Sequence, residues 1–218
     1  MTNQQIFNFN NSTSYLEEDF VKDISNQAAF DFLNKFPSWE NKLINIFGDQ
    51  MCGKTFLINI FKKKNNFYYV NDEIDFETKF EELFNKEKLI IDSVDVHDEK
   101  MFSLINHFIL HKKYLIILSR KPITQMDTKL HDLNSRFKQF YVIEIGNPSD
   151  QLIYSLILKF FSDNQVVIKK ELVQHIVKKI DRSYVRINQF LSTLNKMSIA
   201  KQKKIDFKLI NEVTNLIF

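Results

Sequence analysis

The stretch GDQMCGKT, Gly48 to Thr55, constrains this chain more than any other, because it holds two of the only three glycines in 218 residues. It fits the pattern G-x-x-x-x-G-K-[ST], and it lies after the apolar run Leu43 to Phe47 and before the amphipathic segment TFLINIFKK. A strand, a glycine-bearing turn and a helix in that order form a phosphate cradle. Glycine lets consecutive backbone N–H groups point inward, and the following helix offers its positive end to an anion. In such a P-loop Lys54 reaches the β- and γ-phosphates, and the Thr55 hydroxyl can ligate a magnesium ion. The motif predicts nucleotide binding, ADP or ATP, along Gly48, Asp49, Gln50, Met51, Cys52, Gly53, Lys54, Thr55 and Phe56.

The surrounding pattern supplies a sheet for that loop. From residue 43 to 145, short β-rich runs alternate with amphipathic segments, as in a parallel sheet with crossover helices. The runs Leu43 to Phe47, Phe67 to Val70, Leu89 to Asp92, Leu115 to Leu118 and Tyr141 to Ile145 predict five strands. FETKFEELF (76–84) and EKMFSLINHFIL (99–110) have helical spacing. Asp92 then falls at a strand end, where a carboxylate can hold the magnesium ion's hydration shell through water. The next residue is Ser93 rather than a second acid, which predicts slow intrinsic hydrolysis, with Asp95 the nearest substitute. LIILSRKP (115–122) brings Ser119 and Arg120 to the carboxyl edge of the sheet, where a polar group could sense the γ-phosphate.

After GNPSD (146–150) the pattern becomes helical only. Leu152, Ile153, Leu156, Ile157, Phe160 and Phe161 form one apolar stripe, and Leu172, Val173, Ile176, Val177 and Ile180 a second. Ile187, Phe190, Leu191, Leu194 and Met197 make a third, and DFKLINEVTNLIF (206–218) is a short fourth. The division expected is an arm over 1–14, an α/β nucleotide-binding domain over 15–148 and a helical domain over 149–218.

Composition removes several alternatives. One cysteine cannot form an intramolecular disulfide, the N-terminus has no basic-then-apolar leader, and the longest apolar runs are strand-sized. The expectation is a cytoplasmic protein with no membrane partner. A formal net charge of +3 is weakly basic, and the lysine clusters 62–64 and 201–204 read as solvated surface.

Several segments carry a family resemblance: YLEEDFVKDISNQAAFDFL, FPSWENKLINIFGDQMCGKTFL, LIIDSVD, LSRKP, LNSRF, LKFFSDNQVVI and KKIDRSYVRINQFLSTL, together spanning about 15 to 218. They resemble the AAA+ module of the bacterial replication initiator DnaA and, more closely, the shortened DnaA-related regulators of the Hda type in their alphaproteobacterial form. The resemblance implies an AAA+ P-loop NTPase with a helical lid. It implies that Phe20, Val21 and Asn26 lie near the adenine, and that NSRF presents Arg136 as an arginine finger to a neighbouring subunit's nucleotide. The lid's sensor arginine falls at Arg182 or Arg186, with DRS favouring Arg182. In QQIFNF, Gln4, Phe7 and Phe9 are similar to the short peptide by which such proteins dock on the DNA polymerase sliding clamp, the beta subunit. The sequence ends at Phe218, where initiators continue into a helix-turn-helix domain, so DNA is expected to be met only indirectly through the clamp.

The function implied is regulatory: with the DNA-loaded clamp, the protein stimulates ATP hydrolysis by DnaA. A free-standing P-loop ATPase and an adaptor that recruits DnaA without affecting hydrolysis are the alternatives. Monomer and homodimer are left open.

Overall fold

Strands buried on both faces read as nearly continuous apolar runs, and the five runs of this chain pair accordingly. In the computed structural model, which describes residues 17–71, 73–92 and 98–218, a 3-10 turn at Glu17–Asp19 leads into α1 (Gln27–Asn34). There follow β1 (Leu43–Gly48), α2 (Lys54–Asn65), β2 (Tyr68–Val70), α3 (Glu73–Thr78), α4 (Phe80–Leu83), β3 (Lys88–Asp92), α5 (Asp98–Leu110) and β4 (Tyr114–Ser119). After a 3-10 turn at Ile123–Gln125 come α6 (His131–Phe137) and β5 (Tyr141–Ile145). The chain closes with α7 (Asp150–Asp163), α8 (Lys170–Lys179), α9 (Tyr184–Ala200) and α10 (Phe207–Ile217).

All pairings are parallel and the strand order is β2-β3-β4-β1-β5. Alternate residues of each strand feed opposite cores. Ile44, Ile46, Ile90, Ile116 and Ile143 pack with α1 and α2, while Leu43, Leu89, Ile91, Leu115 and Ile117 pack with α5 and α6. α7 to α10 have a core of their own, centred on Ile157, Phe161, Val173, Ile176, Phe190 and Leu194.

One buried polar residue fixes the sheet's carboxyl edge. Asn45, in the middle of β1 and fully buried, donates to the Ile117 carbonyl and the Ser119 hydroxyl, each at 2.9 Å, and accepts from the Ile123 amide at 2.9 Å. Burying an amide without partners would be expensive, so this satisfied set pins the turn after β4 to β1.

The expected helix over 76–84 is instead two short helices, α3 and α4, parted at Lys79. α1 and α6 lie in segments where periodicity marked no helix, although the family resemblance covered both.

Candidate nucleotide site

The two glycines of GDQMCGKT meet different needs. Gly48 ends β1 beside β5, and a Cβ there would stand 2.5 Å from the Ile145 carbonyl oxygen and 2.9 Å from Cys52 Sγ. Its requirement is space. Gly53 caps α2 with φ of +95°, a left-handed conformation that side chains disfavour. Between them the loop turns so that Lys54 begins α2.

Lys54 is only 7% exposed, unusual for a lysine, and its ammonium folds back over the loop. Nζ donates to the carbonyls of Gly48 at 2.6 Å and Asp49 at 2.9 Å, and stands 3.6 Å from Cys52 Sγ. Burial pushes the Cys52 thiol above its ordinary pKa despite that neighbouring charge, so it stays a neutral packing group. Beside Lys54, the Thr55 hydroxyl donates to Asp92 Oδ2 at 2.8 Å, and the Tyr69 hydroxyl donates to the same oxygen at 2.6 Å. A hydroxyl and a carboxylate side by side are hard oxygen donors of the kind magnesium takes. Asp92 on β3 and Thr55 on α2 thus fit such an ion.

These groups open onto a cavity of about 720 Å³ between the carboxyl edge of the sheet and the C-terminal helices. Of the residues expected from the sequence, Phe20, Val21, Asn26, Gln50, Met51, Cys52, Gly53, Lys54, Thr55, Phe56 and Asp92 line it. Phe20 is the middle ring of a stack, 5.6 Å from Phe30 and 6.1 Å from Phe56. Asn26 is buried and its amide is committed to its own loop: it accepts from the Asp23 amide and donates to the Val21 carbonyl, each at 3.0 Å. It shapes the wall on which Phe20 and Val21 stand.

Asp23, which sequence reasoning missed, ties this loop to the helical unit. Its carboxylate accepts from the Ser25 amide at 3.1 Å, the Ser25 hydroxyl at 2.6 Å and the Ser149 hydroxyl, while Ser149 caps α7. Burial alone would raise the Asp23 pKa, but the bonds from Ser149 and Ser25 prevail and hold it below the ordinary value. Tyr184, which starts α9, donates to the Gly146 carbonyl at 3.2 Å; burial pushes its pKa up to about 12.

The helical wall is mostly apolar: Leu152, Leu156 and Phe160 from α7, and Tyr184, Ile187 and Leu191 from α9. Lys159 and Asp163 are its charged members, and Lys159 pairs with Asp19 across the cavity at 2.6 Å. Arg120 also lines the cavity.

Other expected residues lie elsewhere. Ser119 is buried behind the cavity, its hydroxyl donating to the Lys121 carbonyl at 2.6 Å and accepting from Asn45. Asp49 contributes its carbonyl to Lys54 but does not line the cavity. Arg182 is paired with Asp150 at 3.0 Å on the surface, and Arg186 turns to the Ile217 carbonyl and the Phe218 ring. Neither arginine lines the cavity: Arg182 precedes α9, and Arg186 is off the α9 face turned toward it, which carries residues 184, 187, 188 and 191. Arg136 also stands outside it, on α6, with its guanidinium over the Phe102 ring at 5.9 Å. Its Nε is buried and makes no hydrogen bond among the described residues. Gln4, Phe7, Phe9, Ser93 and Asp95 fall outside the described residues.

This architecture is the AAA+ fold of replication initiators. The structure matches domain III of DnaA from Thermotoga maritima with a TM-score of 0.74 over 93% of this chain and 96% of that one, at 20% identity. It matches a DnaA bound to AMPPCP and single-stranded DNA with a TM-score of 0.65 over 86% of this chain and 68% of that one, at 18% identity. It matches AMPPCP-bound DnaA from Aquifex aeolicus at 0.64 over 83% and 65%, at 16% identity. No protein-family model matches the chain. In sequence the chain is similar to DnaA proteins. It is 25% identical over 209 residues to the chromosomal replication initiator of Nautilia profundicola, covering 84% of this chain and 48% of the relative. It is 26% identical over 208 residues to that of Helicobacter hepaticus, covering 83% and 45%. The chain therefore spans about half the length of the curated relatives it matches.

Proposed function

We propose that this chain binds an adenine nucleotide, ADP or ATP with magnesium, and regulates replication initiation by stimulating ATP hydrolysis on DnaA. The observation that carries the reading is a separation: Lys54, Thr55 and Asp92 stand together in one cavity, while Arg136 lies outside it. An arginine excluded from its own nucleotide cavity is free to act on another protein's. Two structural relatives carry AMPPCP, which supports an adenine nucleotide as the ligand.

In this reading the adenine rests by Phe20 and Val21 on the wall shaped by Asn26. The phosphates lie along the amides of residues 48 to 55, and Lys54 exchanges its carbonyl partners for phosphate oxygens. Thr55, and Asp92 through water, would hold the magnesium ion, which would offset charge between the phosphates. Bound nucleotide fixes the helical unit against the sheet, and the resulting face presents Arg136 to DnaA. An arginine supplied in trans to a γ-phosphate accelerates hydrolysis by roughly three to five orders of magnitude. Residues 4 to 9 dock on the DNA-loaded sliding clamp and bring the protein to its target. Removal of residues 1 to 10 should abolish capture by immobilised clamp and leave nucleotide affinity unchanged; clamp capture by the truncated protein would refute that arm of the proposal.

The Thr55–Asp92 pair favours a second reading, in which the protein turns over its own ATP. It predicts phosphate release by the isolated protein that Lys54→Ala abolishes. The sequence, with Ser93 where hydrolysing enzymes often have a second acid, argues for little such turnover.

A further inference from the structure

The sheet has a second edge rich in cations. Because all five strands are parallel, their first residues share one side, opposite the nucleotide cavity. The segments entering that side, 35–42, 86–88, 111–113 and 138–140, contain seven lysines and two glutamates. That local excess of +5 exceeds the formal +3 of the whole chain.

Contacts link Lys42, Lys88, Lys112 and Lys113 on this side, and Lys35, Lys86 and Lys138 belong to the segments that enter the same side. Lys42 Nζ donates to the Lys112 carbonyl at 2.7 Å and lies over the Tyr114 ring at 4.7 Å. Tyr114 meets Phe36 at 5.1 Å, and Phe36 in turn lies under Lys88 Nζ at 5.1 Å. Lys88 donates to the Asn65 carbonyl at 3.2 Å, and Lys113 to the Phe84 carbonyl at 2.8 Å. Lys42, Lys112 and Lys113 border a cleft of about 390 Å³ with Glu40, Asn41 and Gln139. Glu87 pairs with Lys113 at 3.3 Å. Lys35, Lys112 and Lys138 are exposed and make no ion pair among the described residues.

Carbonyl and ring partners hold an ammonium in place without cancelling its charge. The result is a preorganised row of cations whose mutual repulsion a polyanion would relieve. Neighbouring strands are about 4.8 Å apart, so the row from β3 to β5 spans roughly 14 Å, about the axial length of four base pairs at a rise of about 3.4 Å each. We propose that this edge binds the phosphodiester backbone of duplex DNA directly, without selecting bases. This goes beyond contact with DNA through the clamp alone, and it does not rest on the nucleotide reading.

The test is fluorescence anisotropy with a labelled duplex of about 20 base pairs over a potassium chloride series. It compares the wild type with the triple variant Lys35→Gln, Lys112→Gln, Lys138→Gln and with a control triple in the helical unit, Lys196→Gln, Lys203→Gln, Lys204→Gln. The edge triple should bind about tenfold more weakly at low salt and lose about three from the slope of log K against log salt, one per lost phosphate contact. The control should change less than about twofold. Equal losses in both triples, or no duplex binding by the wild type, would overturn the proposal. So would retention on phosphatidylglycerol vesicles that the duplex does not displace. Thermal melting of both triples separates lost binding from lost fold.

Discussion

The two walls of the cavity differ in chemistry and in how they are built. The sheet wall carries an interlocked polar patch: Lys54, Thr55 and Asp92 are bonded to one another or to the loop, and Tyr69 donates to Asp92. The helical wall is mainly an apolar surface of α7 and α9, with its two candidate arginines, Arg182 and Arg186, turned away. A wall of prearranged polar groups suits phosphates and a metal ion, whereas an apolar wall suits closure over whatever lies between. The difference assigns affinity to the sheet and conformation to the helices.

Substitutions can break that division, and the largest effect should come from the polar wall. Lys54→Ala removes a charged hydrogen-bond donor worth about 1.5–3 kcal/mol, so nucleotide affinity by calorimetry should fall roughly 10- to 100-fold. An unchanged affinity would place the phosphates elsewhere. Next is the joint between the walls. Asp23→Asn weakens the bonds to Ser25 and Ser149 and should lower stability by about 1 kcal/mol in chemical denaturation at neutral pH.

The sign of its pH dependence follows from the lowered Asp23 pKa. The carboxylate's contribution is fully present above the unfolded value of about 3.9 and is lost as pH falls through the folded value. Acidification below about pH 4 should therefore narrow the gap between wild type and Asp23→Asn; a gap that widens would show that Asp23 is not stabilised as the anion. The smallest effect should come from Arg182→Ala, which removes an exposed pair with Asp150 worth at most about 1 kcal/mol and should alter nucleotide affinity by less than about twofold. A tenfold loss would mean that Arg182 swings into the cavity when nucleotide binds, and the helical wall would then share in affinity.

The sequence carried these walls unequally. The strands were readable because both faces of the sheet are covered, so their apolar runs are nearly continuous, interrupted by Asn45 in β1 and Glu144 in β5, and the glycine motif marked the loop that joins β1 to α2. The α7 stripe was readable as a stripe, but not as two. Ile153, Ile157 and Phe161 fill the helical core, whereas Leu152, Leu156 and Phe160 face the cavity, and a hydrophobic pattern cannot say which neighbour each half meets. Asp23 and Ser149 are 126 residues apart, so their bond leaves no local signal. Ser119 was expected at the site because strand ends carry ligands, but Asn45, an unmarked polar residue inside β1, draws its hydroxyl behind the cavity. The lysines of the opposite edge come from four separated segments, none of which is a basic run by itself. Only parallel pairing brings them together.

Arg136 tests the central claim most directly, since the account gives it no part in its own cavity. In a reconstituted reaction containing DnaA, ATP, sliding clamp and DNA, the wild-type protein should accelerate phosphate release by DnaA. Arg136→Ala should abolish that acceleration while binding adenine nucleotide and clamp as the wild type does. Full acceleration by the Arg136→Ala protein would contradict the account.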